Sequence, residues 1–156
     1  MAPPSAAVEL EVADESQLGA LLPLVRGYHE FEHVTMSDGA RAAALAPLLG
    51  PDSTLGRIWL VRCGGAVVGY AALTYGYSIE FQGRDAFVDE LFLLEKARGQ
   101  GIGSVVLGRV KAEAAALGLV ALHLEVARNN RQARRLYERW GFEAREQFHM
   151  MSCYLD

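Results

Sequence analysis

Residues 57–75, RIWLVRCGGAVVGYAALTY, hold two runs rich in valine, isoleucine and aromatics around adjacent glycines. Two such runs joined by Gly64-Gly65 predict a β-hairpin, because a two-residue hairpin turn needs positive φ at its centre. The fold must therefore contain an antiparallel ladder, and the flanking segments must supply whatever covers it. Ahead of the hairpin, AVELEV (7–12) alternates like a first strand. Asp14 with Gln17 can form a capping box that opens a helix running towards YHEFEH, with Pro23 expected to kink it. SDGARAAALAPLLG (37–50) reads as a second, shorter helix.

Behind the hairpin, a turn at 82–84 leads into DAFVDELFLL, the most apolar strand. Residues 103–118 place apolar side chains at helical spacing and stop at Gly118. VALHLEV (120–126) reads as a strand, RQARRLYERWG as a short helix ending at Gly141, and FEAREQFHMMSCYL as one or two closing strands. The order β-α-α-β-β-β-α-β-α-β(-β) sets antiparallel hairpins before a strand–helix–strand crossover. It implies an α/β (α+β) fold: a mixed, mostly antiparallel central sheet of six to seven strands with helices on both faces. At 156 residues, 51% of them apolar, the chain suits a single domain over 1–156 with a proper core.

Charge and composition exclude several classes. A net charge of −4 offers no general attraction to nucleic acid or anionic membrane. The start, MAPPSAAVEL, does not read as a secretory signal, and no apolar run approaches the roughly 18 residues that span a bilayer. Cys63 and Cys153 lie far apart in strand-like segments, which suits reduced, buried thiols and a cytoplasmic location.

Between strand and helix stands ARGQGIGS (97–104), with three glycines at alternate positions behind Arg98. A Gly-rich loop opening a helix is suited to anions, because successive backbone N–H groups converge there and the helix end adds partial positive charge. The other reading is a plain flexible turn. The P-loop scheme fails, since Gly103 is followed by Ser104-Val105 rather than Lys-Ser/Thr. The dinucleotide fingerprint G-x-G-x-x-G also fails, with Ser104 in its last place and antiparallel hairpins ahead of it.

A third scheme, R-x-x-G-x-G, is met by Arg98, Gly101 and Gly103. A second pattern follows at the right distance, Asn-x-x-Ala-x-x-Leu-Tyr-x-x-x-Gly-Phe, carried by Asn130, Ala133, Leu136, Tyr137, Gly141 and Phe142. On these two motifs the chain resembles the GNAT superfamily of acyl-CoA-dependent N-acyltransferases over nearly its whole length. DELFLLEKARGQGIGS and the acidic segment near residue 30 are loosely similar to its diamine and polyamine branch.

The resemblance implies acetyl-CoA as cosubstrate. It implies a diphosphate held by loop amides from Arg98 through Gly99, Gln100, Gly101, Ile102 and Gly103 to Ser104. Pantetheine would run along Leu91, Phe92 and Leu93, bonded by Asn130 beside Ala133. It also implies Tyr137 as the acid that protonates the leaving thiolate; the alternative for Tyr137 is a core aromatic. A lysine-like amine titrates near about 10.4, so at neutral pH it needs a proton acceptor before attacking a thioester. Asp89 and Glu90 are the candidates. As strand neighbours they point to opposite faces unless a bulge intervenes, and Glu90 is preferred.

HEFEH (29–33) matches the zinc-peptidase helix pattern H-E-x-x-H, in which two histidines share a metal and the glutamate is the base. It lacks a third ligand: no other Glu or His occurs in the next 40 residues. No metal is expected. Tyr28, His29, Glu30, Glu32 and His33 instead suit the wall of a pocket for a cationic amine, or else a solvated helix end. The arginines of RNNRQARR (128–135) fit a solvated helix face better than a nucleic-acid surface. MMSCYL reads as a closing strand or the edge of a homodimer.

The expected activity is acetyl transfer from acetyl-CoA to a primary amine, small molecule or peptide, by direct attack with general-base help. A CoA-binding regulatory module without turnover and an H-E-x-x-H hydrolase are the alternatives.

Overall fold

The computed structural model describes residues 7–156, so residues 1–6, where the chain was read for a leader, lie outside it. The chain divides into two compact units, one running to Leu124 and the other Glu125–Asp156.

In the first unit, β1 (Val8–Val12) is followed by α1 (Leu18–Phe31) and α2 (Asp38–Leu45). Then come β2 (Gly56–Cys63), β3 (Ala66–Ser78), β4 (Gly83–Leu93), α3 (Ile102–Ala116) and β5 (Ala121–His123). The spatial order of the strands is the chain order, β1-β2-β3-β4-β5. The first four pair antiparallel, and β5 pairs parallel to β4 after the α3 crossover.

Local chemistry accounts for most of these boundaries. Gly64 (φ 60°) and Gly65 (φ 84°) form the two-residue turn of the β2–β3 hairpin. The capping box at Asp14 and Gln17 forms as read, opening a short 3₁₀ turn that leads into α1. α1 continues through Pro23 without ending there. The second helix is shorter than its pattern, stopping at Leu45 and giving way to a 3₁₀ turn over Ala46–Leu48. Pro47 lacks the N–H that would continue the helical ladder.

One side of the sheet carries a cluster in which Leu21, Leu24 and Val25 of α1 and Leu45 of α2 meet Ile58, Leu60, Tyr70, Ala72 and Phe92. Burying each large aliphatic is worth roughly 1.5–3 kcal/mol, so this face of α1 is firmly anchored. Residues of the opposite parity, Trp59, Val61, Ala71 and Leu73, are also buried, so both faces of the sheet are covered. α3 buries Ile102, Val106, Leu107, Val110 and Ala114 and lies against β1.

The second unit contains α4 (Arg131–Arg139). Asn130 caps it, accepting from the Ala133 N–H at 3.2 Å, and Gly141 (φ 90°) follows its end. Three expectations are corrected here. The sheet has five strands among the described residues rather than six to seven, because residues 142–156 form no ladder. A strand persists only where a neighbour and a buried face hold its register. Met151, Tyr154 and Leu155 instead keep about 90% of their surface exposed. β5 also shrinks to three residues of the seven in VALHLEV. Cys63 ends β2, whereas Cys153 is exposed and outside any strand; both are free thiols. No helix among the described residues is long and apolar enough to cross a membrane.

Candidate active site

β4 decides which acid faces the helices. Ala72 pairs with Glu90 and Leu73 with Val88, which leaves Asp89 as the extra residue of a β-bulge. Glu90 and Phe92 therefore share the α1 face with Tyr70 and Ala72, while Val88 pairs on the other parity. Asp89 is exposed and Glu90 is half-buried. The bulge sets which of the two neighbouring acids faces the helices, a choice that alternation alone leaves open.

The Glu90 carboxylate is held at both oxygens. Tyr70 donates its hydroxyl to Oε1 at 2.7 Å, and the His29 Nε2 lies 2.9 Å from Oε2. Burial first, and then the negative charge of Glu90, push the Tyr70 hydroxyl far above the usual tyrosine range. Tyr70 is thereby kept a donor. Behind His29, the Arg41 Nε donates to Nδ1 at 3.1 Å and Arg41 Nη1 to Asp38 Oδ1 at 2.9 Å. Arg26 of α1 closes the outer end by pairing with Asp38 at 2.5 Å. The hydrogen bonds to Arg26 and then Arg41 hold the Asp38 carboxyl below its ordinary range. His29 and Arg41 are each only 6% exposed.

This placement sorts the H-E-F-E-H segment. α1 ends at Phe31, and His33 (φ 58°) has left the helix. The two histidines thus do not share the helical face that metal binding requires. Both His29 ring nitrogens are already engaged, and the described residues contain no cluster of three His, Cys, Asp or Glu suited to a metal. Glu30, Glu32 and His33 are exposed. The Tyr28 ring packs edge-on against Tyr70 and Phe92. Of the five residues read as a pocket wall, then, His29 belongs to the buried network instead.

Sequence reasoning missed Arg41, Asp38 and Tyr70. One signal was present for Arg41: it stands four residues before Leu45 in an alanine-rich helix, so it lies on the buried stripe. Tyr70 offered none beyond its place in a hairpin strand.

At the far end of β4 the chain turns into the glycine loop. Gly99 (φ 73°) and Gly101 (φ 78°) are left-handed, which explains two of the three glycines. A Cβ at either would meet nothing within 4 Å, so the space over this backbone is open. Gly101 is the N-cap of α3 and supplies no side-chain cap to the first N–H groups. Gly103 lies inside the helix. Arg98 turns back from the loop: its Nε donates to the Leu93 carbonyl at 2.9 Å, and its guanidinium lies over the Phe92 and Phe31 rings. Pairing of β4 with β5 covers only Asp85–Phe87. The edge of β4 along Leu91, Phe92 and Leu93 therefore carries no strand opposite β3 among the described residues. In the second unit, the half-buried Tyr137 ring meets Phe142 edge-on at 5.9 Å.

The family model for the GNAT acetyltransferases matches residues 26–142, which include β2 to β5, the glycine loop and α4. The chain belongs to the GNAT acetyltransferase family. An N-acetyltransferase of Bacillus subtilis strain 168 named YhfO, itself uncharacterised, is 30% identical over 87% of this chain and 90% of its own. A thialysine N-ε-acetyltransferase of Bos taurus is 29% identical over 86% of this chain and 83% of its own. An integron cassette protein from a salt-marsh metagenome superposes with a TM-score of 0.81 at 32% identity, covering 97% of this chain and 93% of that one. This GNAT member is thus an acetyl-CoA-dependent N-acetyltransferase with an amine acceptor. Neither the turnover-free module nor the metal hydrolase is favoured.

Proposed function

We propose that the enzyme acetylates a small, cationic primary amine of lysine or diamine type, with Glu90 as the base. The observation that carries this reading is the Glu90 carboxylate, turned onto the α1 face by the bulge and fixed at both oxygens on the strand that leads into the glycine loop. The thialysine N-ε-acetyltransferase among the relatives supports a side-chain amine as acceptor.

The cationic acceptor gives one N–H proton to Glu90, directly or through one water; the freed lone pair forms the bond to the thioester carbonyl carbon, and the nitrogen sheds a second proton to solvent as the amide forms. The carbon–sulfur bond breaks, and the departing thiolate takes a proton from the Tyr137 hydroxyl. Asp89, exposed beside Glu90, serves as a second acidic contact for the incoming cation, together with Glu30 and Glu32.

The residues present fit the CoA substrate. The open, left-handed backbone at Gly99 and Gly101, with Gly101 as the N-cap of α3, suits a diphosphate held over Arg98–Ser104. Leu91, Phe92 and Leu93 offer the pantetheine amides an edge with no strand beside it among the described residues, with the Leu93 carbonyl already accepting from Arg98. Asn130 already spends its Oδ1 on capping α4, which leaves its side-chain N–H groups to donate to a ligand. Use of acetyl-CoA supports a cytoplasmic site of action. The exposed apolar side chains from Phe148 to Leu155 support a homodimer, which sedimentation at several concentrations tests.

The test is a panel of lysine analogues, diamines, aminoglycosides and N-terminal peptides assayed by thiol release from acetyl-CoA. Side-chain amines of lysine or diamine type are expected to give the highest kcat/KM. Turnover confined to aminoglycosides or peptide N-termini overturns the acceptor class.

A further inference from the structure

A buried histidine and a buried arginine need a reason, since both are ordinarily kept wet. His29 and Arg41 find theirs in one chain of hydrogen bonds that ends on Glu90. Guanidinium does not give up its protons, so the Arg41 Nε–H must donate, and His29 Nδ1 must accept. That places the imidazole proton on Nε2, which donates to Glu90 Oε2. The other groups around the ring are Tyr28 of α1, Tyr70 of β3 through Glu90, and Asp38 of α2 through Arg41. Arg41 itself is fixed from outside by Asp38, which Arg26 ties to α1. From Arg41 inwards each link is thus a donor aimed towards the Glu90 carboxylate, while Arg41 and Arg26 donate outwards to Asp38.

We infer that His29 and Arg41 are positioning residues for amine deprotonation. Arg41 locks the His29 tautomer, and His29 with Tyr70 holds the Glu90 carboxylate in one orientation as a proton acceptor, while the imidazole keeps its Nε2 proton and relays none. A relay histidine would need Nδ1 available to receive a proton, and Arg41 occupies that position. The inference rests on the reading of Glu90 as the base.

Two measurements test it. In protein labelled with ¹⁵N-histidine, the His29 resonances, assigned by their loss in His29→Gln, should show the Nε2–H tautomer. In Arg41→Leu they should no longer show one fixed tautomer. In steady-state kinetics, His29→Leu should lower kcat by on the order of ten- to a hundredfold, the range that misplacement of a reacting group produces. KM for acetyl-CoA should stay within about threefold. His29→Gln, whose amide can still donate, should recover most of the loss. An Nδ1–H tautomer in the wild type overturns the inference even if every variant folds poorly. So does a His29→Leu variant with more than half the wild-type kcat, or a Gln variant as impaired as Leu, which would mark the ring as a proton carrier. Glu90→Gln separates the two readings. If it stays active, the base assignment itself falls. If it is inactive while His29→Leu is not, only the positioning role falls.

Discussion

The two ends of β4 solve opposite problems. Around Glu90 the protein packs side chains from α1, α2, β3 and β4 into a buried polar chain, in which both carboxylate oxygens and both imidazole nitrogens are engaged. At Gly99–Gly101 it does the reverse, removing side chains and holding the backbone left-handed with open space above it. The first arrangement suits a group whose direction must not change as charge passes to it. The second suits a ligand that approaches the main chain itself. Substitutions should therefore act differently at the two ends: on turnover at the first, on CoA affinity at the second.

The largest expected effect is on turnover. Glu90→Gln keeps the shape but cannot take the amine proton, so kcat should fall by on the order of 10²–10⁴ with CoA affinity nearly unchanged. Calorimetry with CoA alongside initial rates checks both halves. A variant that loses CoA binding as well would mean that the two ends of the strand are not separate in function.

Tyr137→Phe is expected to follow, with kcat down by on the order of 10² and KM for acetyl-CoA within about threefold. The ring contact to Phe142 survives this change, and melting curves recorded beside the rates separate a loss of turnover from a loss of stability. A variant that keeps more than half the wild-type kcat while chemistry limits the rate would make Tyr137 a packing aromatic.

At the other end, Gly101→Val places a β-branched residue at φ 78°, a conformation costing roughly 1–2 kcal/mol. Because its Cβ meets no neighbour within 4 Å, the fold should persist by circular dichroism. Its side chain would stand in the open space over the loop, weakening CoA by about tenfold or more, or roughly 1.4 kcal/mol. Equal affinity in a folded variant removes the diphosphate from this loop.

The same contrast explains how much could be read from the sequence. The glycine loop, the Gly64-Gly65 hairpin and the Asp14–Gln17 box are written in neighbouring residues, and the structure contains each of them. Glu90 was visible as a strand acid, but its advantage over Asp89 depended on a bulge that a period of two cannot announce. The network behind it joins residues 12 and 61 positions apart, so only packing assembles it. His29 consequently looked like half of a metal motif, although helix α1 ends before His33. The closing strands failed for the complementary reason. FEAREQFHMMSCYL has strand-like composition, but no ladder forms on it among the described residues.

The smallest expected effect lies at the outer end of the network. Asp38 is solvent-exposed, and the hydrogen bonds from Arg26 and then Arg41, reinforced by their charges, lower its pKa from the ordinary 3.8. A carboxyl whose folded pKa lies below its unfolded one adds stability above the unfolded pKa. That contribution is lost as pH falls through the folded value. Asp38→Asn should therefore melt slightly below wild type at pH 7, and the gap should close as the buffer is taken below about pH 4. Salt should narrow the neutral-pH gap, because the pair is exposed and screened. Turnover should fall less than in the His29→Leu enzyme, since Arg41 keeps its bond to His29 when only the outer anchor is weakened. Melting curves at the two pH values, each with low and high salt, test the electrostatic part. A gap that persists unchanged in acid would mean that Asp38 holds Arg41 by shape rather than by charge. A rate as low as that of His29→Leu would extend the positioning chain outwards to the surface ion pair with Arg26.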